Sequence, residues 1–283
     1  RRASCQNNLK QIGLVFKMYS NESKGERFPP KSVDAGNFFF SMASSYPEYL
    51  SDLNILICPS DTEGKKSLEK GQWLDNNGSV LLSRLDGDPT LPGYDDTVST
   101  ADRSYIYLGW AVRDNSWLVP VDAATGLLQF YTLNLAVPWI QNAGANNPTA
   151  VNAIKQACDN DYDFDHPGNS KIAAGTNIQI YRLREGIERF FITDINNAAA
   201  STKAQSELAI TWDVVGSGQN VGIFNHIPGG SNVLYMDGHV AFQKYTPHAG
   251  ATAPGLGQGL EDDEFPCSTA WALTTDIALG AGL

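Results

Sequence analysis

Apolar residues recur along the first twenty positions at steps of three and four. Cys5, Leu9, Ile12, Phe16 and Tyr19 fall on one face, while Gln6, Asn7, Lys10 and Lys17 lie mostly off it. This spacing predicts an amphipathic helix that stops between Asn21 and Gly25, ahead of Pro29-Pro30. No clear cap precedes the stripe, so a helix that continues upstream of Arg1 is expected. Asn54 to Cys58 is a short apolar run that predicts a buried strand, followed by a turn at Pro59-Ser60-Asp61. Ser104 to Val112 alternates aromatic and aliphatic residues and predicts a longer strand. Residues 126–158 read as partly helical, Ile178 to Phe191 as a strand running into a short helix, and Leu208 to Asp213 as a strand.

The clearest element is a hairpin. Two apolar runs, Asn232 to Met236 and His239 to Gln243, flank Asp237-Gly238. Asp-Gly in this position predicts a two-residue type I′ turn. That turn would pair Met236 with His239, Tyr235 with Val240 and Val233 with Phe242. Val233, Tyr235, Val240 and Phe242 would then share one face. Residues 60–102 are polar and rich in Gly and Asp, and residues 247–283 are weakly patterned and read as an extended, packed tail. No internal repeat is visible.

Composition narrows the class. Of 283 residues, 42% are hydrophobic, enough for a real core, and 18% are charged. The net charge of -11 disfavours nucleic acid as a partner, because an acidic surface repels a phosphate backbone. The same charge favours hard cations such as calcium. The four cysteines, Cys5, Cys58, Cys158 and Cys267, lie far apart with no Cys-x-x-Cys pair, which argues against a zinc knuckle or a dithiol redox motif. An exported chain would pair them, and four allow three connectivities. Cys5–Cys58 and Cys158–Cys267 is the expected set, the first tying the helix to the turn after the early apolar run. Four buried thiols are the alternative. No stretch has the length of a transmembrane helix, and no secretory signal pattern is visible.

Two segments, Ser4-Cys5-Gln6-Asn7-Asn8-Leu9-Lys10-Gln11-Ile12-Gly13-Leu14 and Asn225-His226-Ile227-Pro228-Gly229-Gly230-Ser231-Asn232-Val233-Leu234-Tyr235-Met236-Asp237-Gly238-His239-Val240, carry a resemblance. Together with Cys58-Pro59-Ser60-Asp61, they resemble the bacterial prepilin-type proteins that end in an H-x9-DG motif. Ten residues rather than nine separate His226 from Asp237 here. The resemblance implies an α+β fold, with a pilin-like N-terminal helix on an antiparallel sheet and a large irregular insertion. One domain, 1–283, would comprise the C-terminal half of that helix (1–22), a variable insertion (62–175), the sheet with its Asp-Gly hairpin (204–246) and the tail (247–283). It implies His226, Gly229, Gly230, Asp237 and Gly238 as a structural motif. It further implies a non-catalytic subunit of a pilus-like or pseudopilus-like, secretion-related assembly at the cell envelope, cell surface or outside the cell. Its partners would be copies of itself or other pilin-like subunits, with a membrane reached through an upstream hydrophobic helix. No cofactor would be required.

Several constellations carry candidate chemistry. Asp159, Asp161, Asp163 and Asp165 alternate, so in an extended segment their carboxylates face one way. Calcium is the cation that would relieve their repulsion, and a solvated acidic loop is the alternative. The register argues against an EF-hand, whose sixth position needs Gly and twelfth Glu where this chain has Phe164 and Ser170. Asp213, His226, Asp237 and His239 could hold a metal or form an acid–base pair. The blander account has His226 bonding loop backbone and Asp237 serving the turn. Glu185 and Glu188 offer two carboxylates among arginines and read as surface ion pairs. No nucleophile elbow, phosphate loop or dinucleotide fingerprint is present. Trp73 and Trp117 lie in polar surroundings and would suit a glycan-stacking platform, whereas Trp110 and Trp212 lie in strand patterns and read as core. A surface-displayed glycan-binding module is therefore the second function class, and a secreted hydrolase the third.

Overall fold

A computed structural model describes residues 1–34, 38–61, 64–66, 72–94, 104–117, 148–166, 168, 171–191, 204–215, 225–226, 229–245, 264–268 and 271. The fold is α+β: an N-terminal helix lies against an antiparallel sheet. Helix α1 spans Arg2–Glu22 and buries Cys5, Leu9, Ile12, Val15, Phe16 and Ser20, while Tyr19 is half-buried and rests edge-on against Tyr49. The chain leaves the helix at Ser23, whose backbone N–H donates to the Tyr19 carbonyl. Phe16 is the centre of an aromatic cluster, with ring centroids 4.9 Å from Tyr107, 5.1 Å from Phe40 and 5.6 Å from Phe28.

The main sheet has four strands in the order β1 (Tyr105–Ile106), β4 (Ala209–Asp213), β5 (Gly230–Tyr235) and β6 (Val240–Lys244), all antiparallel. A second sheet pairs β2 (Tyr162–His166) with β3 (Thr176–Ile180), and two further helices are α2 (Leu82–Asp86) and α3 (Pro148–Cys158). Helix α1 crosses β5 closely at Gly13: a methyl group there would stand 3.1 Å from Leu234 Cδ2, so the contact has room for a hydrogen and little more. Ile210, Leu234 and Met236 face α1. The opposite face of the sheet carries Trp212, Val233 and Tyr235, covered by Phe265, Cys267 and Trp271 from the tail. The rest of the tail lies outside the described residues, as does all of 126–147.

The hairpin forms, but in a different register. Leu234 pairs with Val240, Val233 with Ala241 and Asn232 with Phe242. The loop is Met236-Asp237-Gly238, in which the Gly238 N–H donates to the Tyr235 carbonyl and the Tyr235 N–H to the His239 carbonyl. Gly238 takes φ +87°, a left-handed conformation that glycine adopts without strain. This is a three-residue loop, a type I turn closed by a glycine bulge, rather than the two-residue I′ turn. Because side chains alternate, the single-residue shift moves Val240 and Phe242 to the α1 side with Leu234, away from Val233 and Tyr235.

Three more expectations are corrected. Residues 54–58 form no strand: Asp52 accepts from the Asn54 N–H at 2.9 Å and caps a 3₁₀ turn over Leu53–Leu56. The 104–112 strand is cut to Tyr105–Ile106. Gly109 at φ +84° bends the segment out of the sheet, and Ala111 and Gly109 then bond backbone at Tyr181 and Leu183. Since β1 falls within 62–175, that region supplies a sheet strand and not only irregular decoration.

Candidate functional site

The N-terminal half of α1, the Cys58 turn, the end of β4 and the start of β5 meet at one buried place. Cys5, in the first turns of α1, is bonded to Cys58, with Cα atoms 5.2 Å apart. The Cys58-Pro59-Ser60-Asp61 turn is held by the Asp61 N–H donating to the Cys58 carbonyl. The Asp61 carboxylate in turn accepts from Ser104 Oγ at 2.7 Å, which fixes the turn beside β1. Ser104 also offers its carbonyl to the Val214 N–H and to Asn225 Nδ2, which brings the segment before β5 to the end of β4.

His226 enters this pocket. Its Nε2 lies 3.0 Å from Asp213 Oδ2, 3.0 Å from Asn232 Nδ2 and 3.6 Å from Cys58 Sγ. Asp213 Oδ2 additionally accepts from the Asn232 N–H at 2.9 Å and from Asn232 Nδ2 at 2.7 Å. Cys5, Cys58, Asp213, His226 and Asn232 are all buried. No single protonation state of His226 serves every neighbour. A proton on Nε2 suits Asp213 and opposes the Asn232 amide, and a bare Nε2 does the reverse. Asp213 Oδ1 and Asn232 Oδ1 have no hydrogen-bond partner in this buried setting. Burial, reinforced by the Asp213 charge, raises the Tyr105 hydroxyl far above its ordinary range, so it stays protonated beside the cluster.

The four-residue Asp/His constellation therefore splits. Asp213 and His226 come together, and His226 meets side chains rather than only loop backbone. Asp237 and His239 instead pair at the turn, with Nδ1 and Oδ1 2.5 Å apart, and the His239 ring stacks on Tyr235 at 4.4 Å. Sequence reasoning missed Asn232 as a member. Its signal was a polar residue inside an apolar strand, which must find a partner when buried. Among the described residues, Cys5, Cys58, Asp213 and His226 are the one group of three or more His, Cys, Asp or Glu whose ligand atoms gather, all within 4.8 Å of one another.

The expected Cys158–Cys267 disulfide does not form. Cys158 packs with Val33, Trp110 and Ile154, and Cys267 lies in the separate Trp212 cluster on the far face of the sheet. Burial raises both thiols, Cys267 to about 12, so neither forms a reactive thiolate at neutral pH.

The four aspartates divide as well. Asp159 pairs with Arg27 at 3.0 Å, and Asp161 pairs with Arg184 and accepts from the Arg182 N–H. Asp163 and Asp165, on β2, both accept from Asn177 on β3. Arginine and amide donors thus answer these carboxylates, and they do not gather as a ligand set. Glu185 is ion-paired with Lys17 at 2.6 Å. Trp73 is fully buried and is no platform.

An aromatic groove lies elsewhere. Trp117, Tyr181, Phe190 and Phe191 line it, with Asn177 and Gln179 along its edge. Tyr181 and Phe190 stack at 4.5 Å, and Phe190 is 54% exposed.

His166, at the end of β2, is buried, with Nε2 at 3.0 Å from the Ser116 carbonyl and the Gly168 N–H donating to Nδ1 at 2.9 Å. Burial lowers its pKa below the ordinary 6.5, against a smaller opposite effect of the Ser116 bond. A depressed histidine binds its proton less readily folded than unfolded. Stability from this residue is therefore complete above about pH 6.5 and lost as pH falls below it, at up to about 1.4 kcal/mol per pH unit. Urea unfolding between pH 7.5 and 5 should show that slope relative to His166→Gln, and parallel curves for the two proteins would refute it.

Residues 1–47 match the family described as a protein of unknown function (DUF1559). No curated protein and no solved structure matches the chain. At the level of sequence families, this chain is similar through its first helix, and the turn that follows, to a group whose own role is undefined.

Proposed function

We propose that the chain is a non-catalytic subunit of a pilus-like or pseudopilus-like assembly at the cell envelope or cell surface. The observation that carries this reading is the two-sided character of α1. One side packs on an antiparallel sheet, while Leu14 and Met18, one turn apart on the other side, are 64% and 45% exposed. An apolar pair on the outer face of a docked helix suits packing against a second helix of the same kind. A disulfide at the same helix supports an oxidising compartment outside the cytoplasm, and the family match over residues 1–47 falls on this element. The membrane would be reached through a helix upstream of Arg1, and the partners would be copies of this chain or similar subunits.

Electron microscopy of the native full-length protein, sheared from its source cells, tests this. Regular fibres whose repeat is this subunit are expected. Leu14→Asp with Met18→Asp should abolish them while leaving the circular dichroism unchanged. Dispersed particles from the native protein would overturn the assembly. A second reading would then take its place: a surface-displayed module binding glycan in the Trp117–Tyr181–Phe190 groove, where stacked rings flanked by amides suit a sugar face and its hydroxyls. A glycan array compared with Tyr181→Ala would decide it.

A further inference from the structure

We propose that the Cys5–Cys58–Asp213–His226 cluster is a metal site in its reduced form, taking one zinc-type divalent cation in tetrahedral S2NO coordination. The disulfide is then the metal-free, oxidised state of the same site. Two thiolates, an imidazole and a carboxylate are the donor set that zinc selects.

The spacing suits it. A tetrahedral zinc with bonds of about 2.0–2.3 Å holds its ligand atoms about 3.3–3.8 Å apart. His226 Nε2 already lies 3.6 Å from Cys58 Sγ and 3.0 Å from Asp213 Oδ2, and the four ligand atoms all lie within 4.8 Å. Reduction frees the two sulfurs to separate to about the same distance from each other. The unpartnered atoms point the same way. A disulfide needs no charged neighbour, yet a buried carboxylate with an unpartnered Oδ1 and an imidazole with conflicting donors are gathered at this one. A cation resolves the conflict. It takes the bare Nε2 lone pair, leaves Asn232 Nδ2 to Asp213 Oδ2, and gives the carboxylate a cation to coordinate. Asn232 becomes the residue that orients the carboxylate ligand, through Nδ2 and its backbone N–H.

The redox step balances. A phosphine reductant gives two electrons to the sulfur–sulfur bond and, with oxygen from one water, becomes the phosphine oxide. The two sulfurs leave as thiols. Metal binding then releases both thiol protons, so affinity rises with pH.

The test uses the full chain with cobalt as the zinc probe. After phosphine reduction, one equivalent of Co2+ should give the strong visible bands of tetrahedral cobalt and a thiolate-to-metal charge-transfer band. Zn2+ should displace it at one metal per chain. The oxidised protein should give neither band. Cys158→Ala with Cys267→Ala should bind as the parent does, and Cys5→Ser with Cys58→Ser should lose the charge-transfer band. His226→Gln keeps the disulfide, and its oxidised fold can be verified by circular dichroism before reduction. It should then bind Co2+ at least about tenfold more weakly. Absence of tetrahedral cobalt in the reduced parent overturns the proposal. Equal binding by reduced His226→Gln also overturns it, since that is what thiols of an unfolded chain would give. Fibre formation is read independently, so this result leaves the assembly reading untouched.

Discussion

Arg182→Met should destabilise the protein by about 3–5 kcal/mol, measured as the loss in urea unfolding free energy. Arg182 is fully buried. Its guanidinium donates to the carbonyls of Gly109, Phe28 and Pro29, the last two at 2.9 and 3.2 Å. Asp159 stands 3.7 Å away as a more exposed counter-charge. This side chain therefore reinforces three segments that otherwise meet through isolated backbone bridges: the turn after α1, the bend at Gly109 and the strand-like stretch after β3. Met matches the length but supplies no donor: the Phe28 carbonyl loses its Arg182 partner, while the Gly109 carbonyl keeps the Leu183 N–H. A buried orphan costs about 1–3 kcal/mol and the two lost charge-assisted bonds at Gly109 and Pro29 add to it, whereas losing the partly solvated pair with Asp159 adds little. Tyr107 donates to the same Pro29 carbonyl at 2.7 Å, which moderates the loss there. A change below about 1 kcal/mol would mean that these carbonyls find other donors.

Removing the disulfide with Cys5→Ala and Cys58→Ala together should cost about 4 kcal/mol. The bond closes a loop with a sequence separation of 53, and the chain-entropy relation for a loop of that size gives about this figure. Packing is nearly conserved, because both positions belong to the buried core under α1 and alanine leaves only a small void. Thermal unfolding of the double variant beside the parent checks it. Should the two melt together, the unfolded chain already holds residues 5 and 58 near each other, and the entropic account fails. The reduced parent with Zn2+ should recover part of the loss, since metal bound only by the folded state stabilises it.

How far the sequence could be read follows the range of the interactions. The α1 stripe and its stop were legible because helical periodicity is local and the interruption at Pro29-Pro30 is strong. The α+β class was legible through the family resemblance carried by residues 4–14 and 225–240. The hairpin was legible, like the stripe, because its pattern is local. Its register was not: Asp-Gly fits both a two-residue loop and the last two positions of a three-residue loop, and the choice rests on whether Val240 or Ala241 packs under α1. The 104–112 segment has strand composition throughout, yet leaves the sheet at Gly109 to serve Arg182. Nothing within the segment shows that demand. The Cys5–Cys58 pair was legible from the burial of Cys5 and the turn at Cys58. Cys158 and Cys267 could not be placed, because nothing in the sequence shows that they pack in separate clusters. At the candidate site, Asp213 and His226 stood out by residue type alone. Cys58 and Asn232 joined them only through contacts between residues up to 168 positions apart.

The Cys5–Cys58 bond has a mechanical consequence. Cys5 lies in the first turns of α1, and Cys58 leads into the turn fastened to β1 through Asp61 and Ser104. Tension entering at the N-terminal end of α1 and leaving through the sheet crosses directly from residue 5 to residue 58. Residues 6–57, which include nearly all of α1 and most of its aromatic cluster, lie off the load path. They cannot be drawn out until the covalent link is broken. A pull on the oxidised chain would be borne by sulfur and by the edge of the sheet, and the helix would keep its shape under a load that would otherwise peel it from β5.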